Sequence, residues 1–256
     1  HEGYKAGREK NRFRVNRQYQ GMMDEEQERL SMKQQFVWLN DMLDSLPVQT
    51  MIYDGIEADD TIAYITKHTQ HDLEGEVVIV STDKDFLQLV SDKVSVFSPT
   101  KKKMYNRQVV FDEFGIWPEN LLLYRTLDGD KSDNIPGIKG CGVKTLLKRF
   151  PELSEDRTIQ HEEFFKICEE KQGKIKLYDD ILKAKDQLLM NKRLMELDNP
   201  HIPTNQKLQI LDRFNVDDIE FKKLDFLRVG QKYKVLQNWR DINDWLHSTF
   251  HNIITK

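Results

Sequence analysis

The chain has 256 residues, of which 38% are hydrophobic and 32% charged, and a formal net charge of -4. That length suits one large domain or one domain with an extension, the apolar fraction suffices for a core, and no run approaches the roughly 18 apolar residues of a membrane span. Two cysteines, Cys141 and Cys168, have neither metal-ligand spacing nor a disulfide framework, which fits a reducing compartment.

In chain order, residues 1–20 carry six Lys or Arg and two Glu, with Tyr4, Phe13 and Tyr19 interleaved. The pattern is either a solvated face or an arm that meets phosphates through its cations and exposed bases through its aromatics. The first residue is His and the opening is basic and polar, so no secretion signal is read; a native N-terminal segment is expected to be missing from the sequence. Leu30–Leu46 has apolar residues at helical spacing (Phe36, Leu39, Leu43, Leu46), closed by Pro47. Val48–Tyr53 reads as a short strand, followed by a helix opened by Asp59 or Asp60. Val77–Val80 is an unbroken apolar VVIV, the pattern of a central parallel strand. A short helix over Asp83–Val90, a strand over Lys93–Phe97 and a basic turn at Lys101–Lys103 and Arg107 follow, the last read as an exposed hairpin tip. Pro118–Leu127, His161–Glu170 and Lys174–Asp198 read as helical. Beyond Pro200 the text mixes helix and turn, with Phe221, Leu224, Phe226, Leu227, Trp239, Trp245 and Leu246 as packing residues. Helices alternating with strands predict an α/β fold, a mostly parallel central sheet with helices on both faces, and ligands bind beyond the carboxyl ends of such strands.

Three acidic clusters sit at element ends: Glu57, Asp59 and Asp60; Asp83 and Asp85; Asp130 and Asp133. Singly, each acid reads as an N-cap or a surface charge. Together they read as a multi-carboxylate site for a hard divalent cation, Mg²⁺ or Mn²⁺, because like charges so close need an offset that oxygen-loving metals supply. Between two predicted helices, Gly137, Gly140 and Gly142 would let backbone amides approach a phosphate, and Lys144 and Lys148 follow on a helix. That combination holds a duplex backbone without reading sequence.

YKAGR at Tyr4–Arg8, EADD at Glu57–Asp60, STDKDFLQL at Ser81–Leu89 and GDKSDNIPGIKGCGVKT at Gly129–Thr145 resemble the 5′-nuclease (flap endonuclease) family, nearest to its free-standing bacteriophage type with 5′–3′ exonuclease and RNase H activity. The resemblance covers nearly all of residues 1–150 and fades beyond about Leu197. It implies a PIN-like nuclease core over 1–128 with a helical arch at about 9–28, a helix–hairpin–helix region over 129–198 and a helical extension over 199–256. It implies two divalent ions: Glu57 and Asp59 would help bind the first, and Asp60, Asp83, Asp85, Asp130 and Asp133 would gather around the second, several through ordered water. Lys5 and Arg8 would contact the scissile phosphate, and Tyr4 would border the path of the 5′ end, with Arg12 in the cationic arm. Gly137–Gly142 would be the hairpin turn, where K⁺ can be held by backbone carbonyls. The family's first strand and two further Asp have no counterpart here. The expected substrates are flapped, nicked or branched DNA and RNA–DNA hybrid, cut during replication by a monomer in the cytoplasm, that of an infected bacterium if phage-encoded, with replication proteins as partners. The rival readings are a non-catalytic binder of branched DNA, the nuclease part of a DNA polymerase, and metal-dependent phosphatase or kinase-like chemistry on a small molecule. Intact acidic clusters oppose the first, the tail after Pro200 the second, and the lack of a Walker A sequence the third.

Overall fold

The structure, a computed structural model, describes residues 25–72, 75–214 and 220–254. Tyr4, Lys5, Arg8, Arg12 and nearly all of the expected arch lie outside the described residues. The chain divides into two compact units, one containing Gly55–Lys207 and the other the described parts of 14–54 and 208–256.

The first unit opens with helix α2 (Ala58–Asp72), which follows helix α1 (Glu25–Leu43) of the other unit. Asp59 and Asp60 occupy its first turn, where the positive end of the helix dipole favours them. Ala63, Thr61 and Thr66 face inward. A short connection leads into β1 (Val77–Val80), then a 3₁₀ turn (Lys84–Leu89), β2 (Val94–Ser98) and β3 (Lys103–Tyr105). β1 pairs with β2 in parallel, Val77 opposite Val94 and Val80 opposite Phe97, and β2 pairs with β3 antiparallel.

Two expectations are corrected here. The sheet order is β1-β2-β3, so among the described residues Val77–Val80 is an edge strand and only one of the two pairings is parallel. The cause is visible in its burial: Ile79 faces the core at 5% exposure, whereas Val78 and Val80 point away from it at 46% and 66%. An unbroken apolar run therefore hides an alternation of inner and outer faces. Val48–Tyr53 is not a strand: it is an irregular connection, with Ile52 74% exposed.

The hairpin tip is basic, as read, but not free. Lys101 and Lys103 both pair with Glu113 (2.9 and 2.8 Å), and the Tyr105 hydroxyl donates to the same carboxylate. These donors outweigh the effect of burial and hold Glu113 down at about 2. Arg107 lies beyond the tip as the first residue of α3 (Arg107–Phe114), where it bonds Glu119 and Asp156.

Asn106 caps α3, its side chain accepting from the Val109 amide (2.9 Å), and Gly115 ends it with a left-handed φ of 67°. Pro118 starts α4 (Pro118–Asp128), a position where its missing N–H costs nothing. Helices α5 (Val143–Arg149), α6 (His161–Glu170), α7 (Lys176–Lys183) and α8 (Lys185–Met195) follow. Their apolar faces bring Leu146, Phe150, Phe164, Phe165, Tyr178, Ile181 and Leu188 into one cluster with Ile79, Val94 and Val96 of the sheet.

His161, the first residue of α6, is 6% exposed and its Nε2 is buried without a partner among the described residues. Burial first, and Lys192 second, push its pKa down to about 4. The folded state thus refuses a proton that the unfolded chain accepts near 6.5. Stability should be full above pH 6.5 and fall as pH drops towards 4, by up to about 1.4 kcal/mol per pH unit. His161→Gln should flatten that slope in urea titrations between pH 4 and 7; an unaltered slope would place the loss in other groups.

In the second unit, α9 (Thr204–Phe214), which begins within the first, is followed by α10 (Lys223–Lys232) and α11 (Ile242–Ile254). Phe226, Leu246 and Phe250 form its buried centre, with Met42, Leu46, Phe221, Leu227 and Trp245 against it. Leu224, expected to pack, is instead 75% exposed. Two residues from Phe226 on a helix, it lies about 200° around the axis, on the opposite face. Phe36 and Leu39 of α1 are likewise 59% and 50% exposed, although the helix itself forms as expected. Among the described residues no helix is long and apolar enough to cross a membrane.

Candidate active site

The acids lie on elements of the first unit. The acidic first turn of α2 carries Asp59 and Asp60. Glu57 precedes that turn and its carbonyl accepts from Thr61. Asp83 and Asp85 follow β1 directly. Asp83 caps the 3₁₀ turn, its Oδ1 accepting from the Asp85 amide at 2.9 Å. The structure thus gives Asp83 the capping role.

Asp130 and Asp133 sit in a closed loop after α4. Asp130 and Ile135 exchange both backbone hydrogen bonds (2.9 and 2.7 Å). Ser132 donates its amide (2.7 Å) and its hydroxyl to Asp130 Oδ1. The loop ends cross back to back. Gly129 has φ 75°, and a Cβ on Gly137 would fall 2.0 Å from the Asp128 carbonyl oxygen. The glycines at these two positions thus serve the crossing itself. Gly140 also needs its left-handed φ of 89°, but a Cβ there or on Gly142 would meet nothing within 4 Å. The open space at Gly140–Gly142 suits the close backbone approach expected of it, whereas Gly137 is occupied with the fold. Lys144 and Lys148, four apart on one face of α5, are exposed.

Arg125 of α4, which sequence reasoning passed over, joins two of the clusters. Its Nε and Nη2 both reach Asp85 Oδ1 at 2.9 Å, and Nη2 reaches Asp130 Oδ2 at 2.5 Å. The three side chains are 18%, 19% and 17% exposed. Burial raises Asp85 to about 6 despite Arg125, because it shares that cation with Asp130 and has Asp83 beside it. Asp130 goes the other way: its bonds from Ser132 and Arg125 outweigh burial and lower its pKa. Two further residues fix this geometry. Gln88 bonds the Asp85 and Met195 carbonyls (both 2.9 Å) and accepts from the Leu197 amide (3.0 Å). Asn191 of α8, 1% exposed, bonds the Thr126 and Pro136 carbonyls at 3.0 and 2.8 Å. The available signal for Arg125 was a lone cation within LLLYRTL, an otherwise apolar stretch.

The donor set fits a hard divalent cation in kind, being carboxylate throughout. Among the described residues, however, no three His, Cys, Asp or Glu side chains are gathered closely enough to hold one. Asp85 and Asp130 are instead drawn together around a guanidinium.

Residues 1–115 match the 5′-3′ exonuclease N-terminal, resolvase-like domain. That bears out the family resemblance. DNA polymerase I of Bacillus subtilis is 32% identical over 198 residues, 75% of this chain and 21% of the polymerase. A 5′-3′ exonuclease of Aquifex aeolicus is 44% identical over 100 residues, 38% of this chain and 34% of the relative. The matched part therefore spans about a third of the Aquifex relative and about a fifth of the polymerase. Among solved structures, the flap endonuclease of bacteriophage T5, in a pseudo-enzyme–product complex with DNA and metal ions, superposes with a TM-score of 0.55 at 24% identity over 84% of this chain and 75% of the other. This likeness shows the α/β nuclease fold.

Proposed function

We propose that the chain is a metal-dependent, structure-specific 5′ nuclease, a flap endonuclease and 5′–3′ exonuclease that also removes RNA from RNA–DNA hybrid. The observation that carries the reading is that Asp83 and Asp85 follow β1 directly and Arg125 joins Asp130 to Asp85, in a chain that matches the 5′-3′ exonuclease domain. The metal and DNA in the T5 complex support the same reading by likeness of fold. Glu57, Asp59, Asp60, Asp83, Asp85, Asp130 and Asp133 would hold two Mg²⁺ ions, or Mn²⁺ in their place. The chemistry supplied by bound Mg²⁺ is activation of water and Lewis-acid stabilisation of the phosphoryl charge. Lys5 and Arg8 would add their positive charge to the phosphate as negative charge develops. Lys144 and Lys148, with the backbone of Gly140–Gly142 and a K⁺ there, would grip the duplex backbone, and Tyr4 and Arg12 would guide the 5′ strand.

The nuclease region of a DNA polymerase is the second reading, favoured by the 198-residue match to DNA polymerase I; the site chemistry is the same in both. A panel of 5′-flap, 3′-flap, nicked, blunt and single-stranded DNAs, labelled at either end and incubated with Mg²⁺, tests the activity. Short products from 5′ flaps and nicks are expected. Products from 3′ flaps, or equal cleavage of unstructured single strands, would reject it.

A further inference from the structure

We propose that Arg125 is a built-in counter-cation: it keeps Asp85 and Asp130 paired when no divalent ion is bound and must yield them, wholly or in part, when one binds. The inference rests on the metal-dependent reading above.

The two acids are far apart in sequence. Asp85 is 40 residues from Arg125 and Asp130 five, and among the described residues Arg125 is the cation that bonds both and offsets their repulsion. All three side chains are largely shielded from water, where removing a single partner leaves the other charge uncompensated. Arg125 also lies in the last turn of α4, where the negative end of the helix dipole favours a cation. Its position is therefore set twice over, by the helix and by the acids.

The manner of contact is equally informative. Arg–carboxylate pairs are frequently bidentate, with two parallel bonds to both oxygens of one acid. Arg125 instead places Nε and Nη2 on one oxygen of Asp85 and shares Nη2 with one oxygen of Asp130. The opposite oxygen of Asp130 is held independently by Ser132. Asp130 thus has an anchor that does not involve Arg125 and would survive its departure. The guanidinium and a divalent ion would compete for the same two oxygens, which makes their binding mutually opposed.

The test uses the full chain without DNA. Mn²⁺ binding is measured by calorimetry, and melting temperature across a Mn²⁺ series, for the parent, Arg125→Met and Arg125→Lys. Arg125→Met should melt lower than the parent in chelator, and the gap should narrow as Mn²⁺ rises, because the ion stabilises the variant more. Its Mn²⁺ dissociation constant should be about tenfold lower than the parent's. Arg125→Lys, which keeps the charge but cannot bridge both acids, should fall between and answers the question if the Met variant does not fold. A melting gap independent of Mn²⁺, with equal or weaker binding by the variants, would overturn the proposal and leave Arg125 a structural strut. Absence of Mn²⁺ binding by all three proteins would overturn the metal-dependent reading and this proposal together.

Discussion

Asp85→Asn is expected to slow cleavage of a saturated 5′-flapped duplex by about 100-fold or more, in line with losing preorganised charge at a reacting centre. Duplex affinity should change less than about threefold, because the proposed grip on the duplex lies at Gly140–Gly142, Lys144 and Lys148. Asn keeps the shape of the side chain and an acceptor for Arg125, so the fold should persist. The charge is what disappears. Single-turnover rates with and without Mg²⁺, binding measured in chelator and melting temperature separate these effects. A parent-like rate would make Asp85 a partner of Arg125 and nothing more. Equal losses of rate and affinity would mean that the carboxylate organises the whole substrate surface.

The second large effect concerns stability. Gly137→Ala should destabilise the chain by about 3 kcal/mol or more, at or above the upper range for overpacking. The new Cβ would sit 2.0 Å from the Asp128 carbonyl oxygen and 2.3 Å from its carbon, and neither can rotate away. Backbone would have to move, and with it the crossing that positions Asp130. Gly142→Ala is the natural control. Its φ of -63° suits any residue and its Cβ would meet nothing, so stability should stay within about 0.5 kcal/mol. Urea unfolding of the two variants decides the matter. Similar losses in both would mean that the loop tolerates or rejects side chains for reasons other than this contact.

Much of this arrangement is legible in the residues themselves. α6 runs from His161 to Glu170, where Phe164, Phe165 and Ile167 suggest a helix, and β1 occupies VVIV. Those signals are local. The edge position of β1 was not legible, since an apolar run has the same letters whether one face is covered or two. The same limit produced a strand at Val48–Tyr53, where apolar composition met no partner. The acids could be found because they cluster in sequence at element ends. Arg125, Gln88 and Asn191 could not be found that way, because each also bonds a group 40 or more residues distant. A lone polar residue in an apolar helix announces a buried partner without naming it. That Gly137 also serves the fold is not legible in sequence, because the Asp128 carbonyl that its missing Cβ makes room for meets it only in the folded loop.

The crossing of Gly129 and Gly137 has a consequence for how this region moves. Because the Asp130–Ile135 exchange closes the loop at its neck and Ile138 bonds the Leu127 carbonyl, the loop cannot open like a flap on a hinge. Its protected amides at Asp130, Ile135 and Ile138 share their fate with the end of α4. Proton exchange with solvent at those amides would then proceed in a single cooperative event rather than by fraying inward from the tip. Of the four residues at the tip, 131–134, Ser132 holds Asp130, which meets Arg125, so a change in their length would be relayed through that carboxylate to the helix beneath.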